Sequence, residues 1–285
     1  MSATPATSVQ TAPPRKRSLI HGSLIGLSVA YVAVLLLLPL IGIVFTALEP
    51  GPSIVGDTLL LPDVRHAFSL TAIITVITVV VTTVSGLIVA WVLVRQRFRG
   101  RALLNALVDL PFALSPVTVG LACMILFGLG GWFTDFFAAR GIQIVFALPS
   151  MVLVTIFICI PFTIRELVPV LEEIGLEEED AARTLGASIW QTFRKVTFPN
   201  IRWALGYGIA LTVARSIGEI GAVLIVSGLI KGATETATIF IFTALEERQD
   251  AEAHVVALIL AAVSVVLLVV IESLHRRTER GREPA

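Results

Sequence analysis

Four stretches of this chain run for more than twenty residues without a charged side chain: near Leu24 to Leu48, Ala67 to Val94, Leu110 to Phe133 and Ile142 to Ile164. A fifth, Val255 to Ile271, is slightly shorter, and a sixth, from about Trp203 to Ile230, is interrupted by Arg215 and Glu219. About 20 apolar residues are needed to cross a bilayer as a helix. Inside hydrocarbon the backbone must satisfy its own hydrogen bonds, so such stretches read as helices. The expected fold class is therefore all-α integral membrane, with six transmembrane helices. The composition agrees, with 56% hydrophobic and 15% charged residues among 285, far from the balance of a soluble globular domain.

The first apolar run is too long for a signal-peptide core, so it is expected to stay as a span. Residues 1–22 read as a disordered tail, 23–275 as one transmembrane domain, and 276–285 as a second tail. The net charge is zero, so the placement of charges matters more than their sum. Arg15, Lys16, Arg17, Arg95, Arg97, Arg99, Arg101, Arg165, Arg183, Arg194, Lys195, Arg202, Arg276, Arg277, Arg280 and Arg282 fall on one side of the expected spans. Only Arg65, Arg140, Lys231 and Arg248 fall on the other. Basic flanks are retained in the cytoplasm, which predicts cytoplasmic termini.

Of the outer connections, Glu49 to His66 contains Pro50, Gly51, Pro52 and Pro62 and reads as an extended loop. Lys231 to His254 carries the short apolar run Ile239 to Phe242, which predicts an interfacial or re-entrant helix. Pro111, Pro116, Pro149 and Pro161 lie in spans three and four. Each removes a backbone donor, which predicts either kinked, movable spans or packing features.

Between spans four and five lies a charged insertion, Asp180 to Pro199, reading DAARTLGASIWQTFRKVTFP. The preceding Glu177, Glu178 and Glu179, with Asp180, place acid where a helix N-terminus favours it, and read as a solvated helix start. Gly186 reads as a helix end. Ser188 and Gln191 fit a capping box opening a second helix, with Ile189, Phe193 and Val196 on one face and Pro199 as its stop. The apolar Leu185, Ile189, Trp190 and Phe193 call for a partner surface.

This insertion resembles the coupling loop of permease subunits of bacterial ABC importers, whose pattern is Glu-Ala-Ala, three residues, Gly, nine residues, Ile, one residue, Leu-Pro. Here the same spacing carries Asp180-Ala181-Ala182, Gly186, Val196 and Phe198-Pro199. The resemblance extends over about 67–271. LVDLPFALSPVTVGL, GIQIVFALPSMVL, FPNIRWALGYG and ARSIGEIGAVLIVSG look like permease subunits of sulfate/thiosulfate importers. Arg215, Gly218, Glu219, Gly221 and Ala222 form a pattern shared with molybdate permeases, and Ile220 stands where the sulfate pattern often has Phe.

The resemblance implies that the loop docks, through Asp180, Ala181, Ala182, Gly186, Trp190, Phe193, Val196, Phe198 and Pro199, onto one of two cytoplasmic ATP-binding subunits. It also implies a second, related permease forming a heterodimer, an extracytoplasmic sulfate-binding protein, a place in the bacterial inner membrane among its lipids, and transport by alternating access. No nucleic acid is expected among the partners. ATP and magnesium belong to the partner ATPase, and this chain is expected to bind no cofactor. Its three lysines, Lys16, Lys195 and Lys231, are followed by Arg17, Val196 and Gly232, so the Gly-Lys-Ser/Thr of a P-loop is missing.

Arg215 and Glu219 are four apart, a spacing that pairs side chains on one helical face. A charge inside the bilayer costs roughly 2.5–3.5 kcal/mol on insertion scales, so both should face protein or water. Two readings stay open: an attractor for a divalent oxyanion, and a lock between helices, which the adjacent small residues favour. Ser115 and Thr118 are candidate pathway hydroxyls. Cys123 and Cys159 read as buried packing residues, and the four histidines suggest no metal site. Molybdate or tungstate import, an ion-coupled carrier and a membrane scaffold are the competing functions.

Overall fold

The computed structural model describes residues 19–51 and 53–280. Arg15, Lys16, Arg17, Arg282 and most of the two expected tails lie outside the described residues, as do the side chains of His21, Arg276, Arg277 and Arg280. The chain divides into two units, one reaching Phe45 and one running from Thr46 onward. The described part of the first unit is the body of helix α1 (Leu19–Leu48), whose side chains are exposed almost throughout. An apolar helix with no buried face is suited to lipid. It begins at Leu19, so the last four residues of the expected tail are helical.

The second unit is helical, with no strand among the described residues. Helix α2 covers Ser53–Leu60, α3 Pro62–Arg95, α4 Arg101–Ala113, α5 Pro116–Phe127, α6 Thr134–Ala138 and α7 Leu148–Ile174. Helices α8 (Glu177–Thr184) and α9 (Ile189–Thr192) lead through a π-turn, Phe193–Thr197, into α10 (Phe198–Ile217). Then follow α11 (Gly221–Ser227), α12 (Ala237–Glu246) and α13 (Asp250–Arg280). Among the described residues four helices are long and apolar enough to cross a membrane, and two bent pairs raise the number to six if each is one span.

Helix α3 packs against α7 and α10 to form the centre of this unit. It is built inside out relative to a soluble helix. Ile73, Val76, Val80, Val84 and Ile88 are exposed, whereas Thr71, Thr75, Thr78 and Thr82 are buried against protein. With no hydrophobic drive between helices in lipid, small and hydroxyl-bearing faces pack together. Three of the four find partners locally or across the interface: Thr71 and Thr82 donate to carbonyls four residues back at 2.8 Å, and Thr75 accepts from Ser216 at 3.1 Å.

Several sequence expectations are corrected. The connection from Glu49 to His66 is not extended: it holds α2, and Pro62 opens α3, because a first-turn residue needs no N–H partner. The third span is not a continuous run from Leu110 to Phe133. It is α4 and α5, meeting at 109°, and the residues after Phe127 leave the helix. The fourth begins six residues later than Ile142 and runs on to Ile174. Its charged continuation is held by α4, where Arg165 forks onto Asp109 at 2.6 and 2.7 Å and donates to Asn105. Pro116 and Pro149 start helices rather than kinking them, while Pro111 and Pro161 sit inside helices.

The sixth span continues past Ile271 through Arg280, into the expected tail, since no Gly or Pro intervenes before Gly281. The apolar run Ile239 to Phe242 lies in α12, which packs on α3 and α13 with Ile239 and Phe240 buried. Cys123 and Cys159 are buried and free.

Candidate functional site

The loop between α7 and α10 is built from local signals. Gly175, at φ +67°, ends α7, and α8 opens on four acidic residues. Gly186 takes φ +84°, which a side chain rarely tolerates, and the Gly186 and Ala187 N–H groups bond back to Arg183 and Ala182 at 2.9 and 3.0 Å. Ser188 then caps α9: its hydroxyl accepts from Gln191 N at 3.3 Å and its N–H donates to the Gln191 side chain at 2.9 Å. Removing an N-cap hydroxyl costs about 1 kcal/mol. Ser188→Ala is therefore expected to speed amide exchange at Gln191 about fivefold while leaving α10 unchanged.

Pro199 does not stop the second helix. The chain passes through the π-turn, in which Phe198 N bonds five residues back to Phe193 O. Proline then falls in the first turn of α10, where its missing donor is harmless.

The expected docking residues divide by environment. Asp180, Ala181, Gly186, Phe198 and Pro199 are exposed, and Ala182, Phe193 and Val196 are half-buried. Leu185, Ile189 and Trp190 retain 88%, 78% and 66% of their surface. Trp190 stacks on Phe193 at 5.7 Å between ring centres, and Phe193 meets the edge of Trp91 on α3 at 6.4 Å. These rings, with Leu87, Ile88, Val92 and Ile189, bound an apolar groove of about 460 Å³. Phe193 thus fastens the loop to α3, and Asp180, Ala181, Leu185, Gly186, Ile189 and Trp190 form its exposed surface.

One residue in the acidic opening departs from expectation. Glu179 is fully buried, paired with Arg95 at 3.0 Å, so it is no part of a solvated helix start.

The second candidate region is where two helices break. Helix α10 ends at Ile217 and α11 starts at Gly221, the two being bent by 52°. Glu219 lies in that break, so it does not share a helical face with Arg215. The two still pair, Arg215 Nη1 lying 2.6 Å from Glu219 Oε2. Glu219 Oε1 accepts from Ala222 N at 2.8 Å, capping α11, and the Glu219 carbonyl accepts from Thr238 at 3.0 Å. A cation in the last turn of one half-helix and a carboxylate at the start of the next complement both dipoles. The Glu219 side chain is 2% exposed and that of Arg215 31%.

The break between α4 and α5 lies against this one. A Cβ on Gly221 would stand 3.0 Å from Pro116 Cβ, and one on Gly120 would stand 2.9 Å from both Ala222 O and Ile225 Cβ. Ser115 occupies the N-cap position of α5 without a side-chain cap bond, and it and Thr118 are exposed. The two breaks therefore converge, bringing Ser115 and the Arg215–Glu219 pair into one neighbourhood.

Sequence reasoning missed Arg95 and Glu179, which are 84 residues apart, and Glu235, which is buried and accepts a hydrogen bond from Thr243. A buried carboxylate leaves no periodic signal when its partner comes from elsewhere in the fold. No cluster of three metal-binding side chains occurs among the described residues.

Residues 83–283 match the family model for the binding-protein-dependent transport system inner membrane component. The chain is 46% identical over 259 residues to the sulfate transport system permease protein CysW of Synechocystis, covering 90% of this chain and 92% of that one. It is 38% identical over 256 residues to the sulfate transport system permease protein CysT of Salmonella typhimurium, covering 90% and 92%. A chain of the bacterial alginate ABC transporter, solved in complex with its alginate pentasaccharide-bound periplasmic protein, superposes with a TM-score of 0.76 over 92% of this chain and 96% of its own, at 15% identity. A broken-helix bundle with an aromatic-anchored loop, a family model spanning most of the chain and near full-length relatives agree: the chain belongs to the family of binding-protein-dependent transport system inner membrane components.

Proposed function

We propose that this chain is one of two different permease subunits of an ATP-driven importer for sulfate and thiosulfate. The observation that carries the substrate is the 46% identity to a sulfate permease along nine-tenths of the chain. That the chain also aligns over nearly its whole length with a second kind of sulfate permease supports a heterodimer, since a single subunit encloses only half a pathway. The partners are then the second permease, two ATP-binding subunits that bring ATP and magnesium, and an extracytoplasmic binding protein that delivers the anion.

The distribution of basic residues supports a sidedness. Arg95, Arg97, Arg99, Arg101, Arg183 and Lys195 gather at the end that bears the α8–α9 loop, and Lys231 and Arg140 belong to the other. This supports a loop facing the cytoplasm in a bacterial inner membrane. The exposed surface of α8 and its turn combines the small Ala181 and Gly186 with Leu185, which retains 88% of its surface, and with the Asp180–Arg183 pair, and it suits close approach by an ATPase subunit. ATP binding closes the ATPase pair, the loop rides with it, and the helices tilt to open the pathway outward; hydrolysis returns it inward. Beside the pathway, Arg215 is held by Glu219, whose carboxylate compensates its positive charge and favours the locking role.

Ala182→Arg is expected to leave the chain in the membrane while transport falls at least tenfold, through charge and bulk at the docking surface. Radiolabelled sulfate uptake in vesicles containing the whole complex checks this, and normal uptake by Ala182→Arg refutes the docking role. Uptake by cells lacking the chain checks the anion. Loss of molybdate accumulation with intact sulfate uptake would move the substrate to molybdate or tungstate, and uptake that persists without the ATPase would point to an ion-coupled carrier.

A further inference from the structure

Glu179 begins as one of four consecutive acidic residues, yet its side chain is 1% exposed and that of its partner Arg95 is 6% exposed. Four elements meet on this pair. Arg95 is the last residue of α3 and donates through Nη1 to Leu171 O, near the end of α7, at 3.1 Å. Its Nη2 donates to Glu179 Oε1, on α8, at 3.0 Å. Thr197, in the π-turn and itself buried, donates to the same carboxylate oxygen at 3.0 Å. Arg183 lies 3.7 Å from Glu179 Oε2 and 3.3 Å from Asp180, and the Arg95 guanidinium sits 5.8 Å from the centre of the Trp91 ring.

A buried ion pair is weak evidence for stability, because desolvation offsets most of its attraction. What it supplies is direction. Each of these charge-assisted hydrogen bonds loses strength steeply with misalignment, so the ends of α3 and α7, the start of α8 and the π-turn are held in one arrangement. The loop also meets α3 through a ring contact, Trp91 on Phe193, which tolerates sliding.

We propose that Glu179, acting through Arg95, is the positioning residue that transmits displacement of the coupling loop to α3 and α7. It contacts neither nucleotide nor anion. A load applied at Asp180 to Gly186 reaches Glu179 within about two helical turns, and from there passes by hydrogen bonds to two membrane-spanning helices at once. The proposal rests on the reading that this loop docks an ATPase subunit.

The test uses the complete importer in proteoliposomes: this chain with its partner permease, ATPase subunits and binding protein. Glu179→Gln keeps the shape and the Thr197 contact but removes the charge. The expected result is an ATPase that stays bound and hydrolyses ATP, with anion transported per ATP reduced about tenfold, within the usual range of allosteric couplings. Because a lone buried Arg95 could unfold the chain, the paired variant Arg95→Met with Glu179→Met is measured alongside. It leaves no orphaned charge, and its transport per ATP is expected to be as low as that of Glu179→Gln. A wild-type ratio in either variant overturns the proposal, since packing alone would then suffice. If Ala182→Arg also transports normally, the docking reading itself has failed; if Ala182→Arg blocks transport while the Glu179 variants do not alter the ratio, only the transmission role is lost.

Discussion

Glu219→Ala is expected to destabilise the protein by about 3 kcal/mol and to abolish anion accumulation. Breaking a buried ion pair by removing one partner costs about 3–5 kcal/mol, because the other charge is left uncompensated. The low end applies because the Arg215 side chain keeps 31% of its surface, while Glu219 is 2% exposed. The substitution also takes the cap from Ala222 N, exposing an unsatisfied donor at the start of α11. Glu219→Gln separates the two effects, since its amide oxygen still accepts from Ala222 while the charge on Arg215 goes unanswered. Arg215→Met combined with Glu219→Gln is expected to recover most of the stability. Unfolding in detergent, read by intrinsic fluorescence, gives the three values. Equal stability of Glu219→Ala and the wild type would remove the lock.

Gly120→Val is expected to cost about 1–3 kcal/mol, the usual range for overpacking a tight contact. At Gly120 the first side-chain carbon would lie 2.9 Å from the backbone oxygen of Ala222 and from Ile225 Cβ. Neither is the far end of a flexible chain, so α5 and α11 must separate. Gly26→Val on α1, where nothing lies within 4 Å, is the control and should unfold at the wild-type temperature. Thermal unfolding of the two variants side by side decides this. A Gly120→Val protein that melts with the control would show that the two broken helices do not pack through this glycine. Lost sulfate uptake is expected to accompany the shift, because the contact joins the breaks that flank Ser115 and Arg215.

Much of the architecture was legible because it is written in local patterns. Long uncharged runs marked the membrane helices, and Glu177 to Asp180, Gly186, Ser188 and Gln191 marked the start and end of α8 and the start of α9 within two residues. Each of these depends on groups no more than four residues apart, which a linear reading can see. The spacing of the charged loop, from Asp180 through Gly186 to Pro199, was equally visible. Of the six expected crossings, four are unbroken helices among the described residues and the other two correspond to bent helix pairs, whose bends no linear pattern marked.

The failures share a cause. Pro199 looked like a terminator, but the π-turn before it shifts the hydrogen-bond register by one and leaves the proline where it needs no donor. Pro116 read as either a kink or a packing feature inside one span, and it is the first residue of a separate helix, packed against Gly221 of α11. The third and fourth spans were set by uncharged length, which could not anticipate that Arg165 and Asp109 would carry helical structure beyond the apolar run by pairing with each other.

By itself the sequence determined the environment and the local caps: which segments must lie in lipid, where the charged loop begins, and which glycine turns it. These follow from hydrophobic length and from hydrogen bonds closed within a turn. The tertiary structure alone decided which charges are buried and where the helices break. Glu179 differs from Glu178 in no local respect, yet only Glu179 meets an arginine and a threonine from other elements, and the low dielectric of that junction makes the pairing directional. Burial and partnership depend on residues far apart in the chain, so they exist only once the helices have packed.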